Sequence, residues 1–439
     1  MEIMNCIMMA KKLNKDCLFL GQILFLSFFL FACDRDLPSR QVKTESFVKI
    51  YGGSKNQQGK DIKETPDGGY LLLGSSSSFG NGASDIYLVK VSAEGNEEWS
   101  RTYGGNKNDI GSAVLVAKDG NYLVLGTSTN EVDSTDIILL KIDPAGNQLW
   151  KQVIGEKGFN DAGFNIKEDL DGNGYIIIGM TSRLDIGKYP ASSHIPETDL
   201  SDILIIRSDL NGQVLLPRTQ GFNGPDIGND VVPIRNSLGA DEYVFIGTTT
   251  KYTDGTAENG SDILFFKNNK SLGGNVELAI GGSKNETGRA ICETLDGGFA
   301  LLGSTFSFGN GGEDIYFAKL KLNKDNEVTN FQSFTFGGVA DERGVSIKEL
   351  QDGSFIILGT TTSYGNGSSD LFLLKINSFG EEIWSRTFGD EGSEAAGKVI
   401  NTSDGGFAIV GTLRFGNNEM MYFIKTNEEG LLLPVSTKD

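Results

Sequence analysis

Thr65-Pro66-Asp67-Gly68-Gly69-Tyr70-Leu71-Leu72-Leu73-Gly74 reads as a tight turn feeding a short apolar strand that stops at a glycine. An Asp side chain accepts hydrogen bonds from turn N–H groups, and Gly supplies the positive φ such turns demand. The phrase returns as Lys118-Asp119-Gly120-Asn121-Tyr122-Leu123-Val124-Leu125-Gly126 and as Asp171-Gly172-Asn173-Gly174-Tyr175-Ile176-Ile177-Ile178-Gly179. Asp296-Gly297-Gly298-Phe299, Asp352-Gly353-Ser354-Phe355 and Asp404-Gly405-Gly406-Phe407 carry it onward, and Glu242-Tyr243-Val244-Phe245-Ile246-Gly247 is a worn copy. The strand-ending glycines fall at 74, 126, 179, 247, 303, 359 and 411, so seven copies recur every 52 to 68 residues. A period of this size marks a repeat architecture.

Each copy contains four short strand candidates. In the first copy they are Asp61–Glu64, Tyr70–Leu73, Asp85–Val91 and Trp99–Tyr103, separated by Gly-containing turns. The middle two are continuously apolar, as strands buried on both faces must be; the fourth alternates, as a half-exposed edge does. No helical period appears. Four strands repeated seven times predict an all-β fold, a seven-bladed β-propeller of four-stranded antiparallel blades.

The ends of the chain fit a closed ring. Copy seven has a third strand at Met421–Lys425 but no fourth after Gly430. A spare fourth strand stands at the other end: Ser46-Phe47-Val48-Lys49-Ile50-Tyr51-Gly52-Gly53 matches Glu98-Trp99-Ser100-Arg101-Thr102-Tyr103-Gly104-Gly105 position for position. It is expected to complete the last blade and remove the open edges.

The combined pattern Trp-(x4)-Gly-Gly, Asp-Gly-Gly-Tyr/Phe-(x3)-Gly and Phe-Gly-Asn-Gly-x-x-Asp-(x4)-Lys resembles the seven-bladed propeller repeats of bacterial exported proteins and lipoproteins, over residues 46–433. That resemblance implies the fold and says little about activity. Lys141-Ile142-Asp143-Pro144-Ala145-Gly146-Asn147-Gln148-Leu149-Trp150 is similar to the turn-plus-Trp element of quinoprotein-type propellers, one of which is an assembly lipoprotein acting by protein contact.

Composition narrows the function. The 439 residues carry 39 basic and 58 acidic side chains, a net charge of −19, and the basic ones form no stripe, so a nucleic-acid partner is not expected. A single histidine, His194, removes His-based triads and multi-His metal sites. Glycoside hydrolysis would need only two carboxylates, and no pair stands out in the sequence.

The first residues read as an address. Lys11, Lys12 and Lys15 precede the apolar run Ile23–Phe31, which ends in Ala32-Cys33. Leu30-Phe31-Ala32-Cys33 resembles the bacterial lipoprotein box, which implies a signal peptide over 1–32, lipidation of Cys33, a short linker over 33–45 and a propeller over 46–439. The expected location is the cell envelope, with the membrane engaged through the lipid. Of four cysteines only Cys292 then remains in the body, so no disulfide framework is expected.

Repetition also sorts the candidate site residues. Trp99, Trp150 and Trp384 share one fourth-strand position, and Lys90, Lys141, Arg207, Lys267, Lys319, Lys375 and Lys425 share the end of the third strand. Sevenfold use argues scaffold. Thr65-x-Asp67-x-Gly69 and its copies at Thr294 and Thr402 resemble the sialidase Asp-box, itself a turn device. Acidic residues recur before the third strand (Asp85, Asp136, Asp202, Asp262, Asp314, Asp370) and near the start of the next copy (Asp109, Asp161, Asp226, Glu286), predicting an acidic ring on one face. Oxygen-rich loops can hold Ca²⁺, with Asp85, Asp136, Asp314 and Asp370 as ligands; turn capping is the alternative. No other cofactor is expected. The pattern breaks most in copy three, where residues 183–198 lengthen the loop before Asp202, and copy four lengthens the same loop. Long loops on a rigid scaffold carry recognition, so Tyr189, His194 and Tyr252 are expected on a ligand-binding rim. The functional expectation is a non-catalytic binding or scaffold module for an envelope protein or glycan, the alternative being an exported carbohydrate-active hydrolase. Cys33→Ser should release the protein from membranes in fractionation of expressing cells; a variant that stays membrane-bound with an uncleaved N-terminus would refute lipidation.

Overall fold

The computed structural model describes residues 46–183, 201–221, 224–236, 238–253 and 256–432. They form 28 strands arranged as seven four-stranded antiparallel sheets, with no helix among them. The first blade is β2 (Gln57–Glu64), β3 (Tyr70–Ser76), β4 (Asp85–Val91) and β5 (Glu97–Tyr103), in that order from inside to outside. β3 and β4 are buried along their whole length, whereas β5 is half-exposed throughout. The strands run longer than their apolar centres suggest: β2 begins four residues before Asp61, because backbone pairing continues past the last apolar side chain.

The apolar faces meet between blades. Seven hydrophobic clusters are present, one at each junction. Leu71, Leu73, Ile86 and Leu88 on one face of the first blade pack against Val114, Tyr122, Val124 and Ile138 of the second. The opposite face, with Leu72, Tyr87 and Val89, packs against Ala408, Val410 and Phe423 of the seventh. Complete burial of a Leu or Phe side chain contributes about 1.5–3 kcal/mol, and most of these residues are fully buried.

Closure follows the sequence expectation. β1 (Phe47–Tyr51) pairs antiparallel with β28 (Asn418–Thr426), Phe47 opposite Lys425 and Tyr51 opposite Met421. The seventh sheet is completed inward by β27 (Phe407–Phe415) and β26 (Ser393–Asn401). The seam copies an ordinary junction. Tyr51 Oη donates to Gly95 O at 2.6 Å, as Tyr103 Oη donates to Gly146 O at 2.8 Å one blade on.

The repeated polar residues are scaffold. Every basic residue ending a third strand meets a carboxylate of its own blade's inner hairpin: Lys90–Asp67 at 3.0 Å, Lys141–Asp119 at 2.6 Å, Arg207–Asp169 at 3.0 Å, Lys267–Glu242 at 2.7 Å, Lys319–Asp296 at 3.9 Å, Lys375–Asp352 at 3.5 Å and Lys425–Asp404 at 2.9 Å. Thr65 Oγ1 donates to Asp67 Oδ1, which also accepts from Gly69 N–H, so the Asp-box-like element is a turn lock. Trp99 covers Gly146, a positive-φ glycine in the next blade, and donates from Nε1 to Pro144 O; Trp150 and Trp384 cover Gly212 and Gly430 likewise. Deleting residues 46–53 should therefore lower the melting temperature by on the order of 5–10 °C, since it strips an outer strand and a buried Tyr from the ring. A melting curve identical to wild type would exclude closure by β1.

Candidate functional site in the central channel

The inner strands of all seven blades line the channel, and each carries a β-bulge at the same place. In β2 the bulge lies between Gly59 and Asp61. Gly59 is required there, because a Cβ would sit 2.4 Å from Gly411 O of the neighbouring blade. The looped-out residue is not repeated: it is Lys60, Ser112, Phe164, Asn229, Arg289, Val345 and Gly397 around the ring. Bulges re-aim side chains, and here they bring seven different residues, six of them with side chains, to one cavity of about 420 Å³.

That cavity is basic in an acidic protein. Its acids are already engaged. Asp61 accepts from Ile62 N–H, from Val114 N–H of the next blade and from Lys63 Nζ, each at 2.9 Å. Burial works against the Asp61 carboxylate, yet Lys63, Lys398 and these donors hold it below the usual carboxylate range. Asp230 accepts from Asn165 Nδ2 at 2.6 Å, Val231 N–H at 2.8 Å and Ile291 N–H at 3.1 Å. Glu313 takes Arg343 at 2.5 Å. Lys60, Arg289 and Lys398 make no ion pair or hydrogen bond among the described residues. Lys60 and Arg289 are solvent-exposed within the channel, yet the surrounding channel walls and then Arg289 push the Lys60 ammonium below its ordinary value, and the walls and Arg343 lower Arg289 despite Glu313. Lys60 of blade one thus feels the positive charges of Arg289 of blade five and Lys398 of blade seven, while Arg289 answers to its blade-five neighbour Glu313 and to Arg343.

Further along the channel stand Lys63, Lys167 and Lys348 with Cys292. Burial pushes the Cys292 thiol up to about 12, which removes thiolate reactivity at neutral pH.

The acidic ring expected from sequence takes a different form. The carboxylates are buried or half-buried in pairs, each pair facing the glycine that follows an outer strand: Asp85 with Asp109 at Gly104, Asp136 with Asp161 at Gly155, Asp314 with Glu342 at Gly337, Asp370 with Glu394 at Gly389. Asp202 with Asp226 at Gly221 and Asp262 with Glu286 at Gly281 complete six. A Cβ at any of these glycines would strike both acids. Most accept from backbone N–H groups, as Asp85 Oδ2 does from Gly82, Asp109 Oδ2 from Gly105 and Asp314 Oδ2 from Asn310. Such donors present hydrogens where a Ca²⁺ shell needs six to eight oxygens. Among the described residues no three acidic, His or Cys side chains gather to hold a metal. The residues do not fit Ca²⁺; Asp85, Asp136, Asp314 and Asp370 fit turn capping.

Cys33, expected as the lipidation site, and Tyr189 and His194 of the expected rim lie outside the described residues. Tyr252 lies on a strand rather than a loop. The fourth blade extends its middle strands, Asp241–Thr253 and Thr256–Asn269, into a long hairpin that pairs Tyr252 with Ala257. The channel cations went unread because they are scattered through the sequence at 60, 289 and 398. Their signal is a failure to repeat after the first-strand glycine, visible only once the copies are superposed.

No family model matches the chain. A curated relative, regulatory protein FlaEY of Caulobacter vibrioides, is 22% identical over 427 residues, covering 89% of this chain and 41% of its own length, so the chain spans less than half of that relative. Among solved structures, a protein of unknown function from Bacteroides caccae aligns at TM-score 0.39 and 14% identity, over 72% of this chain and 93% of that one. An acylaminoacyl peptidase of Pyrococcus horikoshii aligns at 0.43 and 12%, over 85% of this chain and 52% of that one. The fold assignment rests on the strand topology.

The paired carboxylates carry a pH signature. Burial, then Asp370 and Asp390, pushes Glu394 up to about 7. A carboxyl raised on folding contributes stability below the ordinary carboxylate range and loses it as pH rises through that value. Unfolding measured at about pH 5 and about pH 8 should therefore reveal a loss of up to about 3 kcal/mol that Glu394→Gln abolishes. An unchanged pH slope in the variant would contradict this assignment.

Proposed function

We propose that the chain is a non-catalytic binding or scaffold module of the cell envelope, tethered by lipid on Cys33, that recognises a protein or glycan at one face of its propeller. The observation that supports this is the coincidence of two breaks in the sevenfold pattern. One is the set of bulge side chains in the channel, whose cavity reaches Arg343 at the start of an inner strand and Glu313 in a connection between middle strands. The other is the lengthened connection between middle strands in copies three and four. Antiparallel order places connections between middle strands and connections between blades on the same face, so both breaks open together. A scaffold that is uniform elsewhere and individual at one face suits recognition. Tyr189, His194 and Tyr252 belong to this proposed rim.

Replacing residues 183–198 by Gly-Asn-Gly is expected to leave the melting temperature within a few degrees, because surface loops cost little closure entropy. It should abolish capture of a partner from envelope extracts or a glycan array. Undiminished capture by the variant would place recognition elsewhere, and turnover of a glycoside panel by wild type would favour the hydrolase.

A further inference from the structure

We infer that the channel cavity binds a small oxyanion group, a carboxylate or phosphate, between Lys60, Arg289 and Lys398. This deepens the binding-module reading and rests on it only for where the ligand's remainder would lie. Three features converge. The cavity of about 420 Å³ lies within the range of small-molecule sites, large enough for a sugar acid or a phosphate ester. Its cationic groups come from blades one, five and seven and make no direct ion pair among the described residues, while Asp61, Asp230 and Glu313, the acids nearby, are bonded to other partners.

The charge balance is the third feature. In a chain of net charge −19, Lys60, Arg289 and Lys398 line one cavity together. Like charges gathered in one channel repel through its walls and solvent, and a bound anion relieves that repulsion. Arg289 offers a planar fork suited to two oxygens of one carboxylate or phosphate, and Lys60 and Lys398 offer point charges. Ser112 and Asn165 also line the cavity and can hydrogen-bond hydroxyl groups, while Phe164 offers an apolar face.

Calorimetric titration of the full-length chain in detergent at low ionic strength tests this, with inorganic phosphate and galacturonate as probes and galactose as the uncharged control. At least one oxyanion should bind saturably, and galactose should not. Lys60→Gln combined with Arg289→Gln should weaken that binding at least about tenfold. The ligand-free variant should melt no lower than wild type, because a repulsion has been removed, so lost binding cannot be ascribed to misfolding. Tighter binding of phosphate points to a phosphate-bearing ligand, tighter binding of galacturonate to an acidic glycan. No saturable binding of either oxyanion, undiminished binding by the double variant, or galactose binding equal to galacturonate would overturn the inference. Partner capture by the double variant separates the two readings: capture without oxyanion binding leaves the module standing and removes the anion site. Oxyanion binding without any captured partner does the reverse.

Discussion

A four-stranded blade whose middle strands are apolar on both faces has no way to satisfy them alone. Leu71 and Leu72 are neighbours in sequence, and the pleat sends them to opposite sides of the same sheet. Each side needs another blade, and each added blade brings the same demand. The series ends only when the last blade meets the first. Ring closure, the pairing of β1 with β28 and the inward crowding of the bulged strands all follow from this demand. The positions it leaves free are the loops and the inner edge of each blade, which is where the seven copies differ.

Buried charge is handled in two ways. At the end of each third strand a cation meets an acid of the inner hairpin, and the chemistry survives when the position moves. In the third blade Arg207 reaches Asp169 rather than Asp171, and in the worn fourth copy Glu242 replaces the turn Asp for Lys267. Only in these two pairs are both partners largely buried, and there breaking one half leaves an uncompensated buried charge, which ordinarily costs about 3–5 kcal/mol. At the other end of the blades, like charges face each other across a glycine and are held by backbone N–H groups instead.

The fold was legible because its determinants are local and repeated: a turn Asp-Gly, an apolar run, a strand-ending glycine. The spare strand at 46–53 was legible for the same reason, as a copy of 98–105. The acidic positions could be counted but not placed. Asp85 and Asp109 are 24 residues apart, and only the register of blade against blade turns two loop acids into one buried pair. The channel was less legible still. Lys60 and Arg289 each look like an ordinary surface residue beside a glycine, and the bulge that turns them inward leaves no mark in composition or periodicity. Closing the chain into a ring gives them a common address.

The seventh junction departs from the other six in a telling way. Where they have an acid opening an inner strand, it has Gln57, whose Oε1 accepts from Gly53 N–H at 3.0 Å and whose Nε2 donates to Ser78 Oγ. Where they have an acid before the third strand, register places Met420, two residues before Tyr422 as Asp85 is two before Tyr87. In six blades a covalent turn joins the third strand to the outer one, so mutual repulsion between carboxylates cannot part them. In the seventh these strands are β28 and β1, the two ends of the propeller chain, and nothing but hydrogen bonds and packing joins them. A neutral pair at that spot keeps facing carboxylates out of the one clasp that no covalent turn secures.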